Sequence, residues 1–179
     1  QSNLFTIARR RILWLLILVL ANGLTTKVIA MNDQILKEIV LLAAFIPLLI
    51  GTGGNVGAQS STVVIRGLST QKLKSLGAIK AVVKEAITGA ILGILMMLVV
   101  FPFAWWQGEG PLIASAVGIS LICITTLAAT TGALLPLLFD RMKLDPALMS
   151  SPFITTVTDI AGVFIYLSTA KWLLSSSLS

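Results

Sequence analysis

Histidine is missing from this chain, and Cys123 is its single cysteine. Those two shortages exclude a disulfide framework, a His-based metal site and a Ser-His catalytic triad. Charge is also scarce. Only 11% of the 179 residues are charged, against about a quarter in an ordinary soluble domain. With 56% hydrophobic residues, so little charge cannot clothe a water-facing surface, and most of the surface must face lipid. The chain also lacks a GxxxxGK[ST] phosphate loop, an HExxH motif and a pair of acids placed for a membrane aspartyl dyad. An enzyme is therefore not the expected reading.

The charges that are present mark topology. The formal net charge is +6, but the basic residues cluster at the ends of apolar runs, which speaks for membrane orientation rather than for nucleic acid. A spanning helix needs about 20 mostly apolar residues. Five stretches qualify, roughly 12–31, 39–65, 81–103, 112–139 and 152–174. Ten of the thirteen Lys and Arg fall on one side of this arrangement: Arg9 to Arg11, then Arg66, Lys72, Lys74, Lys80 and Lys84, then Arg141 and Lys143. Lys27, Lys37 and Lys171 are left for the other. The expected fold is all-α and integral to the membrane, a single domain over 1–179 with five transmembrane helices. The positive-inside rule puts its N-terminus in the cytoplasm and its C-terminus outside. Trp14, Trp105, Trp106 and Trp172 lie near span ends, where interfacial aromatics anchor a helix. The short basic loop over 67–80 either touches anionic headgroups or is simply solvated. Gln1 replaces an initiating Met, and residues 1–6 lack a signal-peptide pattern, so we expect an excised membrane domain with more protein upstream.

Against this apolar background one acid stands out. Asp159 lies inside the uncharged run 152–170, with no Lys or Arg within a turn or two. A carboxylate at such depth costs on the order of 3 kcal/mol or more, and is rarely kept unless it faces a bundle interior, a partner charge or water. Thr155, Asp159, Gly162 and Tyr166 share a helix face. The hydroxyl or carbonyl of Thr155 could share a ligand or water with the acid, and Gly162 should leave space one turn on. The competing reading is an acid buried for structure, bonded to a neighbouring hydroxyl or kept neutral. Ser150-Ser151-Pro152 looks like the start of this last helix.

The second span holds Pro47 and the run Gly51-Thr52-Gly53-Gly54-Asn55-Val56-Gly57-Ala58-Gln59. Gly51, Gly54 and Ala58 recur at helical spacing and allow close helix approach. Alternatively the backbone loosens there and its carbonyls line a wet cavity. Asn55 and Gln59 are an i, i+4 pair on one face, suited either to a partly hydrated cation or to amide bonds across a helix interface. In the fourth span Pro136 frees the carbonyl of Gly132, which the nearby threonines can help satisfy, and a kink is expected. Glu85 reads as an interfacial charge. An all-oxygen site of this kind suits hard cations. Magnesium, usually held through retained waters by one or two carboxylates, fits one Asp per chain, and better still two across a symmetric dimer.

Two segments resemble a known family. The glycine run, continuing through Val64-Ile65-Arg66-Gly67-Leu68, is similar to the second transmembrane helix of MgtE magnesium channels. The stretch Asp145-Pro146-Ala147 through Ser151-Pro152-Phe153-Ile154-Thr155-Thr156-Val157-Thr158-Asp159 resembles the family's fifth. The resemblance extends over essentially the whole chain. It implies a homodimer in the cell membrane with an ion path at the subunit interface, lined by the second and fifth helices. Asp159 would coordinate hydrated Mg2+, with Thr155, Gly162, Gly54, Asn55 and Gln59 lining the same path. Mn2+, Co2+ and Ca2+ remain alternative cargoes. Family members also carry a cytosolic N-terminal domain and a CBS pair that sense magnesium and close the pore. This sequence contains neither, and residues 1–8 would be the remnant of a connecting helix, so altered or ungated conduction is expected. A cation- or proton-coupled transporter using Asp159, and a non-conducting subunit, stand as the alternatives.

Overall fold

A computed structural model describes residues 4–38, 40–70 and 77–178. Residues Lys72 and Lys74 of the basic loop, and the first residue of the second predicted span, lie outside them. The structure is 95% helix, with no strand among the described residues. The elements in chain order are α1 (Leu4–Met31), α2 (Asp33–Glu38), α3 (Val40–Ser69), α4 (Ala78–Ala104), a π-helical turn (Trp105–Glu109), α5 (Gly110–Arg141) and α6 (Pro146–Leu178). Apart from residue 39, each predicted span falls inside a helix. Among the described residues four stretches are long and apolar enough to cross a membrane: Val40–Ser69, Ala78–Gln107, Gly110–Arg141 and Ser150–Ser175. The apolar part of α1, Leu15–Met31, is shorter. Helices therefore outrun the apolar cores at most ends, because backbone hydrogen bonding continues into the interface after hydropathy has fallen.

The start of α6 illustrates this. It begins at Pro146, not at the Ser150-Ser151-Pro152 signal. The Asp145 carboxylate accepts a 2.9 Å hydrogen bond from the Ala147 N–H, and Pro146 fits a first turn that needs no donor. Pro152 then sits inside the helix, as Pro47 does in α3 and Pro136 in α5.

Helix α5 is the hub. It packs against α3, α4 and α6, while α3 also meets α6 and α1 lies mainly on α6. Small residues at these contacts make this possible. A Cβ on Gly89 of α4 would stand 2.5 Å from the Thr125 carbonyl oxygen, and one on Gly93 would meet the Ile122 Cα at 2.5 Å. Backbone-to-backbone approach of this kind is how helices associate in lipid, where no hydrophobic drive brings them together. The largest apolar core lies around Leu42, Leu49, Leu121, Ile124, Tyr166 and Leu167, all essentially without solvent exposure. By contrast α1 and α4 present rows of exposed Leu, Ile and Val, the lipid-facing side of the molecule. Trp105, Trp106 and Trp172 are exposed near helix ends, consistent with interfacial anchoring.

Candidate ion path

The glycine run of α3 is helical throughout, so its backbone does not open to line a cavity. Its glycines serve packing, but from a different face than the Gly51, Gly54, Ala58 row. Gly51 and Ala58 are exposed and Gly54 is half-buried, whereas Gly53 and Gly57 are buried. A Cβ on Gly53 would come within 2.7 Å of Ile124 Cγ2, and one on Gly57 within 2.5 Å of Ile154 Cγ2 and 3.2 Å of the Ala128 carbonyl oxygen. Gly132 of α5 faces the carbonyl of Gly57 so closely that no side chain fits between them. The i, i+4 spacing of Gly53 and Gly57 was the available signal for this seam.

With that seam turned inward, the opposite face of α3 is turned out. Asn55, Gln59, Thr62 and Arg66 form a polar, exposed stripe along it. The Thr62 hydroxyl donates to the Ala58 carbonyl, 2.9 Å away. Neither amide, of Asn55 or of Gln59, takes part in a hydrogen bond among the described residues. Amides standing free within a membrane helix are costly, so this face requires water or another chain against it.

Asp159 lies on α6, the helix adjoining this stripe. Along its row, exposure falls from Thr155, which is exposed, through Asp159, which is half-buried, to Gly162 and the fully buried Tyr166. Gly162 is buried against Ile124 of α5, whose side-chain atoms a Cβ there would meet at an ordinary 3.7–3.8 Å, so a methyl would fit but the position is not open to the outside. Gly162 thus belongs to the helix packing and stands apart from the open part of the row. Thr155 and Gly54 do come together, a Cβ on the glycine lying 4.0 Å from Thr155 Cγ2.

The hydroxyls near the acid are engaged elsewhere. Thr155 Oγ1 donates to the carbonyls of Pro152 (3.0 Å) and Ser151 (3.3 Å), and Thr158 Oγ1 donates to those of Ile154 (2.5 Å) and Thr155 (3.0 Å). Among the described residues the Asp159 carboxylate makes no hydrogen bond or ion pair. The reading of this acid as structural, bonded to a neighbouring hydroxyl, therefore has no such bond behind it. In α5 likewise, Thr125, Thr126 and Thr130 donate to carbonyls one turn before them, and none of these three bonds reaches Gly132.

Between α3 and α6, beside Arg66 and Ala147, lies a cleft of about 400 Å³ bordered by Ser61, Thr62, Arg66 and Ser151. Sequence reasoning passed over these residues as site members, because each is ordinary on its own helix. No group of three or more His, Cys, Asp or Glu side chains gathers into a metal cage among the described residues. A single carboxylate beside exposed amides can attract a cation that keeps most of its water, but cannot strip and enclose it.

The fold and this flank together define an all-helical membrane protein in which the Asp159 carboxylate, without a partner among the described residues, adjoins a polar helix face. A model of the MgtE family, described as divalent cation transporters, matches residues 46–169. Three proteins named "Magnesium transporter MgtE" are similar over nearly the whole chain. The Thermus thermophilus protein is 38% identical over 166 residues, 93% of this chain and 37% of its own length. Those of Enterococcus faecalis and Bacillus subtilis are 34% and 32% identical, covering 96% and 95% of this chain and 38% of their own lengths. The chain belongs to the MgtE family of divalent cation transporters. It spans less than two-fifths of the length of these relatives.

Proposed function

We propose that the chain forms the membrane path of a magnesium channel in the cell membrane, conducting Mg2+ inward without a coupling ion. Five helices cross the bilayer with the N-terminus cytoplasmic. Two copies meet across the exposed faces of α3 and α6, and Asp159 from each holds one largely hydrated ion, with Thr155, Gly54, Asn55 and Gln59 along the same path. In the longer protein, cytosolic regulatory domains govern opening. The observation that carries this reading is the free, half-buried Asp159 carboxylate on the flank where α3 leaves two amides unbonded. One chain leaves all three groups unsatisfied in an apolar setting. A second copy enclosing a water-filled path would satisfy them together and supply two negative charges to a divalent ion. The names of the relatives indicate the same ion.

The test is Mg2+ uptake into liposomes containing the protein, with no other gradient imposed, wild type beside Asp159→Asn. Asparagine keeps the volume and removes the charge, so uptake should fall at least tenfold while the variant remains folded and dimeric. Undiminished uptake by a well-folded Asp159→Asn protein would end the site assignment. Uptake that appears only with a sodium or proton gradient would replace the passive mechanism with a coupled one.

A further inference from the structure

At the end of the bundle that carries most of the cations, α4 and α5 enclose an apolar groove of about 200 Å³ that the ion path does not use. Its walls are Ile79, Val82 and Val83 of α4 and Leu134 and Leu138 of α5, and Arg141 stands on its lining. Ile79 and Val83 also border a second groove of about 370 Å³, lined by Lys80, Lys84, Ile87 and Thr88 of α4. One apolar ridge is thus flanked by two furrows, with three cations around them. Ile79 is 80% exposed and Val83 51%, so the ridge is open to whatever lies outside the protein. Among the described residues Lys80, Lys84 and Arg141 make no ion pair, although Glu85 and Asp140 are their neighbours in sequence.

Bulk lipid will cover any apolar helix face, but this one combines concavity with positive charge at one end. We infer that it is a binding site for an anionic phospholipid, with the acyl chains seated along the Ile79–Val83 ridge and the phosphate held by Arg141, Lys80 and Lys84. Lysine and arginine stems lie along apolar surface while their charged ends reach the headgroup level, which matches the amphiphilic shape of such a lipid. Guanidinium in particular offers a phosphate two parallel hydrogen bonds. Neutral phospholipid would fill the same furrows without this gain, so the site discriminates by headgroup and not by chain. Nothing in it depends on the ion carried or on Asp159.

Native mass spectrometry of the detergent-solubilised protein, titrated with phosphatidylglycerol or phosphatidylcholine of identical chains, tests this directly. Each basic side chain near an anionic headgroup is worth roughly fivefold in affinity, so the wild type should prefer phosphatidylglycerol by on the order of tenfold or more. The combined variant Lys80→Gln, Lys84→Gln, Arg141→Gln should lose that preference. Lys171→Gln, near the other end of the bundle, should keep it. Val83→Trp fills the furrow without changing charge, and should also weaken retention of phosphatidylglycerol. Equal retention of both lipids by the wild type, or a preference that survives the triple variant, would overturn the site. Retention of phosphatidylglycerol untouched by Val83→Trp would likewise overturn it, because charge alone, without the groove, would then account for the binding.

Discussion

Replacing Gly132 by alanine tests the seam on which the geometry of the flank depends. A Cβ at this position overlaps the carbonyl of Gly57, and the obstacle is helical backbone, not the end of a flexible side chain. At the partner position, a Cβ on Gly57 would lie 2.5 Å from Ile154 Cγ2, while ordinary contacts begin near 3.4 Å, so the neighbours must move by almost 1 Å. Ile154 is β-branched and fully buried and has little freedom to turn aside. Overpacking of this kind typically costs about 1–3 kcal/mol, and the gain of roughly 1 kcal/mol from replacing a helical glycine offsets part of it. Gly162→Ala is the matched control. Its Cβ would meet Ile124 at ordinary distance, so only the propensity gain remains. The obstacle at Gly132 is backbone, so the upper end of the overpacking range applies, and about 3 kcal/mol less the propensity gain leaves roughly 2 kcal/mol. Measured by loss of monodispersity on heating in detergent, Gly132→Ala should then melt about 4–8 °C lower, at the roughly 2–4 °C per kcal/mol of a soluble chain this size. Gly162→Ala should melt at or slightly above the wild-type temperature. Since α3 carries Asn55 and Gln59, pushing it off α5 should also reduce Mg2+ uptake. A Gly132→Ala protein as stable as wild type, or a Gly162→Ala protein equally damaged, would refute the packing argument.

Two further substitutions probe particular side chains. Asp145→Ala removes the bond to the Ala147 N–H at the start of α6 and should cost about 1 kcal/mol, visible as a small fall in the same melting temperature and as faster amide exchange over the first turn. Ser120 is fully buried in α5 with no hydrogen-bond partner for its hydroxyl among the described residues, so Ser120→Ala should be neutral or stabilising by up to about 1 kcal/mol. A clear loss of stability there would reveal a partner, such as a buried water.

Composition and charge placement by themselves determined that this is a helical membrane protein, because lipid tolerates few other spanning structures and punishes stray charge. Asp159 was legible for the same reason: its cost at that depth is a property of the residue and the solvent, before any fold exists. The Asn55–Gln59 pair was legible as one face of one helix, since spacing within a helix is local. Tertiary structure alone decided which way each face turns. The glycine run contains two rows of small residues, and periodicity cannot choose between them. Gly53 and Gly57 face inward because Gly132, Ala128 and Ile154 complement them on two other helices. That choice left Asn55 and Gln59 outside, and it placed Gly162 against Ile124 rather than beside open space. The cleft at Arg66 and the groove beside Arg141 are likewise each lined from two helices, and no single segment encodes which residues a second helix brings beside it.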